Sequence, residues 1–184
     1  MRIIAGRFGG RRLAVPKAGV RPTTDRVKES MFAMLQARVD FDDADVLDLY
    51  AGSGNLGFEA LSRGARRVVF VERSRDARDC IRSNADKLGV SDQVTIDPAA
   101  VSNYLARAVG GDARSSFDIA LADPPYDEPI DTLPDLVAPL LRAGGTLAIE
   151  HESGMSFEDH PNVETYRDFG GTRVSFFHYQ LRRP

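Results

Sequence analysis

The 184-residue chain contains one cysteine (Cys80), no tryptophan and three histidines. A single cysteine excludes an internal disulfide and makes a cysteine-based metal site implausible. His151, His160 and His178 lie too far apart for a local metal motif, so no metal is expected. No apolar run reaches the roughly 18 residues that cross a bilayer, and no charged-then-apolar leader opens the chain. Repeats and low-complexity segments are also lacking. These absences predict a soluble, cytoplasmic protein with no membrane partner. The length predicts one domain with at most a short appendage, large enough to bury its core without a covalent staple.

What is present is an uneven charge. Residues 1–28 carry Arg2, Arg7, Arg11, Arg12, Lys17, Arg21, Arg26 and Lys28 against Asp25 alone, whereas the whole chain is at −3. The arm is therefore +7 and the remainder −10. A basic arm on an acidic body suits a polyanion partner, and a solvated arginine-rich surface is the plainer alternative.

Residues 2–5 and 11–15 flank Gly6, Gly9 and Gly10 and predict a small hairpin. Pro16 to Pro22 reads as a loop, and Thr24 as the cap of a helix burying Val27, Met31, Met34 and Leu35. From residue 45, strands alternate with helices. Strands are expected at 46–50, 67–71, 93–96, 117–122 and 145–150, and helices at 56–63, 75–88, 99–109 and 130–141. This alternation predicts an α/β fold with a mainly parallel sheet covered on both faces. The strand-like segments 162–167 and 172–181 are joined too tightly for a crossover, so they form an antiparallel pair. A parallel sheet ending in such a hairpin fits methyltransferases better than dinucleotide dehydrogenases.

Two strand ends carry the chemistry. Gly52-Ser53-Gly54-Asn55-Leu56-Gly57 matches G-x-G-x-x-G between a strand and a helix, a turn whose backbone can approach a ligand closely. Glu72 ends the next strand, 20 residues after Gly52, where a carboxylate accepts from a ribose diol. These features imply an adenosine-containing ligand. Asp48, at the first strand's tip, suits a ligand ammonium better than a pyrophosphate. Capping the following turn is its structural alternative.

Asp123-Pro124-Pro125-Tyr126 follows the fourth strand. The prolines stiffen the loop and remove donors, leaving a carboxylate, the Pro124 carbonyl and an aromatic face. An exocyclic amino group can donate to both acceptors while its base stacks on Tyr126, a contact worth about 1–3 kcal/mol. Cys80, within a predicted helix, reads as core.

Asp48-Leu-Tyr-Ala-Gly-Ser-Gly54 combined with Asp123-Pro-Pro-Tyr126 resembles the amino-methyltransferases. Arg2-Ile-Ile-Ala-Gly6, Arg21-Pro-Thr-Thr-Asp-Arg-Val-Lys-Glu29 and Gly57-Phe-Glu-Ala-Leu-Ser-Arg-Gly-Ala65 narrow the likeness to the bacterial 16S rRNA guanine-N2 methyltransferases, the RsmD-like family. The resemblance implies a Rossmann-like seven-stranded sheet behind a basic N-terminal extension, divided at residues 1–40 and 41–184. It implies S-adenosylmethionine as donor, held by Asp48, Ala51, Gly52, Ser53, Gly54, Glu72, Arg73, Asp97 and Ala99. Asp123, Pro124 and Tyr126 would handle the base. Arg7, Arg11, Arg12, Arg21, Thr23, Thr24, Asp25 and Arg26 would face the RNA. The partner implied is 16S rRNA in an assembled or partly assembled small subunit, bound by a monomer. In Asp97-Pro98-Ala99 the acid sits one place from its usual position, so Asp97 is either an adenine contact or a helix cap. Adenine-N6 or cytosine-N4 methylation and a non-catalytic RNA-binding assembly factor are the alternatives. The terminal hairpin and Asp48 disfavour a nicotinamide oxidoreductase.

Overall fold

The computed structural model describes residues 1–16, 24–111 and 115–180. Its elements are α1 (Asp25–Gln36), β1 (Asp45–Leu49), α2 (Asn55–Ser62), β2 (Arg67–Val71), α3 (Arg75–Leu88), β3 (Val94–Asp97), α4 (Val101–Ala108), β4 (Phe117–Ala122), α5 (Leu133–Val137), β5 (Leu141–Glu152), β6 (Val163–Phe169) and β7 (Thr172–Tyr179). The strands form one sheet in the order β3-β2-β1-β4-β5-β7-β6. β3, β2, β1, β4 and β5 run parallel, and β7 inserts antiparallel between β5 and β6. The expected α/β sheet with its antiparallel end is thus present.

Both faces of the central strands are buried, which is why they read as unbroken apolar runs. On one face, Val46, Ile119, Leu121, Ala148 and Phe176 pack with Met31 and Leu35 of α1, Leu56 and Leu61 of α2 and Ile81 of α3. On the other, Leu47, Leu49, Ala120, Leu147 and Phe177 meet Tyr104 and Leu105 of α4 and Val137 of α5. Ile3, Phe8 and Leu13 of the N-terminal segment join the first cluster.

Thr24 caps α1 as expected, its Oγ1 accepting from the Val27 N–H. The N-terminal hairpin is looser than expected: Ile3 N–H donates to Arg11 O and Gly10 N–H to Ile3 O, yet only Arg2 and Arg12 form a bridge. The reason lies in α2, where the Glu59 carboxylate captures the Ile4 and Ala5 N–H groups at 2.7 and 3.0 Å. The helix expected over 130–141 shrinks to α5 and a 3-10 turn (Ala138–Leu140), because Pro139 has no N–H with which to continue it. β5 accordingly starts at Leu141 rather than 145. At the end of the sheet opposite the carboxyl tips of the strands, buried Asp45 receives Arg66, Arg67 and Arg142. Burial alone would raise its carboxyl, but the hydrogen bonds from Arg66, Arg142 and Arg67 outweigh it and hold the pKa at about 2.

Candidate active site

In an open parallel sheet, ligands sit beyond the carboxyl ends of the strands, where the strand order reverses. Here that point falls between β1 and β4, and a cavity of about 970 Å³ opens there. The turn leaving β1 is tight: Tyr50, Gly52 and Gly54 have φ of +58°, +55° and +86°. The glycines divide the work. A Cβ on Gly52 would meet no atom within 4 Å, whereas one on Gly57 would lie 2.3 Å from the Phe70 ring. Gly52 therefore leaves the cleft open, and Gly57 lets α2 pack close on β2. Gly54 caps α2 and lies outside the cleft lining.

Two carboxylates organise this loop. Asp48, 1% exposed, accepts from the Gly57 N–H at 2.8 Å while lining the cleft. Burial pushes its pKa up to about 8; the Gly57 N–H opposes this, and the charges of Asp123 and Glu72 add to it. Glu72 accepts from Gly52 N–H at 2.8 Å and Ser74 N–H at 2.7 Å, tying the loop to the start of α3. Each of its oxygens keeps a lone pair for a further donor. Ala51, Ser53, Arg73 and Ala99 also line the cleft. Asp97 does not: its carboxylate accepts from the Ala99 N–H at 3.0 Å and pairs with Arg107, shaping the turn before α4.

Asp123, Pro124, Pro125 and Tyr126 line the same cleft. Tyr126 is 48% exposed, with its hydroxyl 3.0 Å from Thr172 Oγ1. The β6–β7 turn, residues 168–172, thereby forms a wall beside the tetrapeptide. Sequence reasoning missed Tyr50, Asn55, Glu128 and Glu150 in this lining. The Tyr50 hydroxyl is pushed up to about 12 by burial, then by the charge and hydrogen bond of Glu128. An acid at a strand end or in a loop carries no distinguishing local pattern, which is why Glu128 and Glu150 escaped.

The N-terminal segment reaches the site directly. Met1, Thr24, Arg26 and Val27 line the cleft, and Ser53 Oγ donates to Met1 Sδ at 3.2 Å. Asp25 lies outside the lining, paired with Arg2 at 2.8 Å. Lys28, 1% exposed, donates to Asn55 Oδ1 at 2.7 Å and Arg2 O at 2.6 Å, and its Nζ lies 3.3 Å from Glu59. Arg7, Arg11 and Arg12 are exposed outside the cleft. Arg7 and Arg11 lie over the Phe8 ring, and Arg7 also bonds Gln93. Arg21 and Thr23 lie outside the described residues.

Residues 1–178 match the family model described as conserved hypothetical protein 95. The chain is 42% identical over 131 residues to "Putative rRNA methyltransferase YlbH" of Bacillus subtilis, covering 70% of this chain and 68% of that one. It is 38% identical over 128 residues to ribosomal RNA small subunit methyltransferase D of Haemophilus influenzae, covering 68% and 64%. These alignments span about two thirds of each relative. The solved "Putative methyltransferase yhhF" of Escherichia coli superposes with a TM-score of 0.83 at 28% identity, covering 99% of both chains. The chain belongs to the conserved hypothetical protein 95 family, the RsmD-like S-adenosylmethionine-dependent methyltransferases.

Proposed function

We propose that this chain methylates the exocyclic N2 of a guanine in 16S rRNA, presented on an assembled or partly assembled small subunit. One observation carries the reading: the Gly52 loop and Asp123-Pro124-Pro125-Tyr126 open onto a single cleft, so donor and acceptor sites adjoin. The lining fits S-adenosylmethionine. Open space beside Gly52 suits its methionine part, buried Asp48 its ammonium and Glu72 its ribose diol, with Ala51, Ser53, Arg73 and Ala99 around them. In this reading residues 1–40 are the RNA-facing extension of a monomer and residues 41–184 its methyltransferase domain.

When bound, S-adenosylmethionine supplies an activated sulfonium methyl, so the chain's own work is alignment and exclusion of water. The Asp123 carboxylate and the Pro124 carbonyl each accept one hydrogen of the amino group, which turns the nitrogen lone pair toward the donor side. The same two acceptors stabilise positive charge developing on that nitrogen, and Asp123 takes the released proton. Tyr126 stacks on the extruded base, for which a loop guanine leaves its neighbours more cheaply than a paired one. Thr24 and Arg26 meet the RNA at the cleft mouth; Arg7, Arg11, Arg12 and Arg21 contact phosphates.

Small subunits lacking the modification, incubated with a methyl-labelled donor, provide the test by nucleoside mass analysis. N2-methylguanosine is the expected product, abolished by Asp123→Ala with S-adenosylhomocysteine binding retained. Label in N6-methyladenosine or N4-methylcytidine, or no transfer at all, overturns the guanine assignment.

A further inference from the structure

Asp123 and Pro124 hold the amino group of the target, but amino groups also occur on adenine and cytosine. Something else in the cleft must tell the bases apart. What marks guanine is the neighbouring ring position: its N1 carries a hydrogen, whereas adenine N1 and cytosine N3 carry lone pairs. The reader of that edge is an acceptor lying beside Asp123.

Glu150 is placed there. β4 and β5 pair in parallel, and the last pair sets Ala122, where β4 ends, opposite Ile149; Asp123 and Glu150 are the residues that follow that pair, and both line the cleft. Parallel neighbours in register point to the same face of the sheet. The face is the one carrying Leu121 and Ala148, packed toward α1. Glu150 lines the cleft and is 6% exposed. Across the sheet on its other side its register partner is Val174, fully buried on β7. Its neighbour His151 bonds Ser175 and meets Phe157 edge-on, within the cluster on the opposite face.

We propose that Glu150 is the specificity-determining residue of this site, its carboxylate accepting the guanine N1–H while Asp123 and Pro124 hold the N2 amine. The inference rests on the guanine-N2 reading above and deepens it. Three acceptors then face three hydrogens along one base edge. Adenine or cytosine in the same pose sets a ring lone pair against the carboxylate of a residue that is only 6% exposed, where an unmade hydrogen bond is costly.

2-Aminopurine separates the two groups, because it keeps the N2 amine and lacks the N1 hydrogen. Small subunits are rebuilt with 16S rRNA carrying guanine or 2-aminopurine at the target position, and kcat/KM is measured for the wild-type enzyme and for Glu150→Gln. The wild type is expected to favour guanine by at least about tenfold, the lower range of a single base-edge contact. Glu150→Gln, which can turn its NH2 toward a ring lone pair, is expected to bring that ratio near unity, with S-adenosylhomocysteine affinity held within about twofold as the check on folding. A wild-type ratio near unity overturns the assignment even if the variant fails to fold, and so does a folded variant that keeps the full preference. Absence of N2-methylguanosine from the wild-type reaction instead sinks the guanine-N2 reading itself.

Discussion

Asp48 is asked to do two things at the tip of β1. It accepts the Gly57 N–H that starts α2, and in the proposed function it faces the donor's ammonium. Buried as it is, its carboxyl titrates at about 8, far above the ordinary carboxylate value of 3.8. The sign follows from linkage. Without donor, the group stays protonated in the fold while it ionises in the unfolded chain, so its contribution to stability declines as pH rises from about 4 to 8. An ammonium nearby lowers the bound-state pKa, so binding expels a proton. Affinity for S-adenosylhomocysteine should therefore rise between pH 6 and 8, by at most about tenfold per pH unit for one proton, and level off above 8. Calorimetry in two buffers of different ionisation enthalpy measures the released proton directly. Asp48→Asn should abolish both the slope and the release; a pH-independent affinity for the wild type would remove Asp48 from the ammonium site.

Among the elements, α1 and α2 are bound by a polar joint inside an apolar cluster. Glu59 gathers the Ile4 and Ala5 N–H groups, Lys28 and Arg63, while Lys28 also reaches Asn55 at the cleft. Burial lowers the Lys28 pKa, with the Glu59 charge and hydrogen bond opposing it. A second joint lies beside it: Asn84 of α3 accepts from the Ala14 N–H and donates to the Ala14 and Ser53 carbonyls. Lys28→Met keeps the bulk of the side chain and removes its donors, leaving Asn55 Oδ1 and Arg2 O without this bond and the buried Glu59 carboxylate short of one cation. Breaking one side of a buried ion pair typically costs 3–5 kcal/mol; Arg63 still serves Glu59, so a loss of about 3 kcal/mol is expected in urea titration. Donor affinity should fall as well, because Asn55 lines the cleft. Unchanged stability and unchanged affinity together would show the joint to be idle.

The same elements mark what could be read without coordinates. Double-sided burial turns β1, β4 and β5 into apolar runs, and the Thr24 cap and the glycine turn are local chemistry, so each was legible. Long-range capture was not. Glu59 lies more than fifty residues from the amides it takes from the N-terminal hairpin, and nothing near Lys28 announces that its ammonium is buried. In the site, Asp48, Glu72 and Asp123 stood out because motifs surround them, while Glu150 is one acid among many until the fold brings it into the cleft that Asp123 lines.

For the whole molecule, the governing quantity is the separation of charge: +7 in residues 1–28 and −10 in the rest. An acidic body repels RNA, so in the proposed function the arm both attracts the substrate and orients the cleft toward it. The arm's cations are not equivalent. Arg26 lines the cleft, whereas Arg7, Arg11 and Arg12 are exposed outside it, and the proposed function assigns those three to phosphates and not to the base. Reversing these three to glutamate should raise the KM for small subunits while leaving kcat and S-adenosylhomocysteine affinity nearly unchanged. It should also flatten the dependence of log affinity on log salt, by about 0.7–0.9 for each phosphate no longer neutralised. Arg26→Ala should behave differently, lowering kcat with little change in salt slope, because Arg26 lines the cleft that the proposed function gives to the reacting base. Binding measured at several salt concentrations for both variants decides the matter: equal salt slopes for the triple reversal and the wild type would mean that RNA approaches by another face.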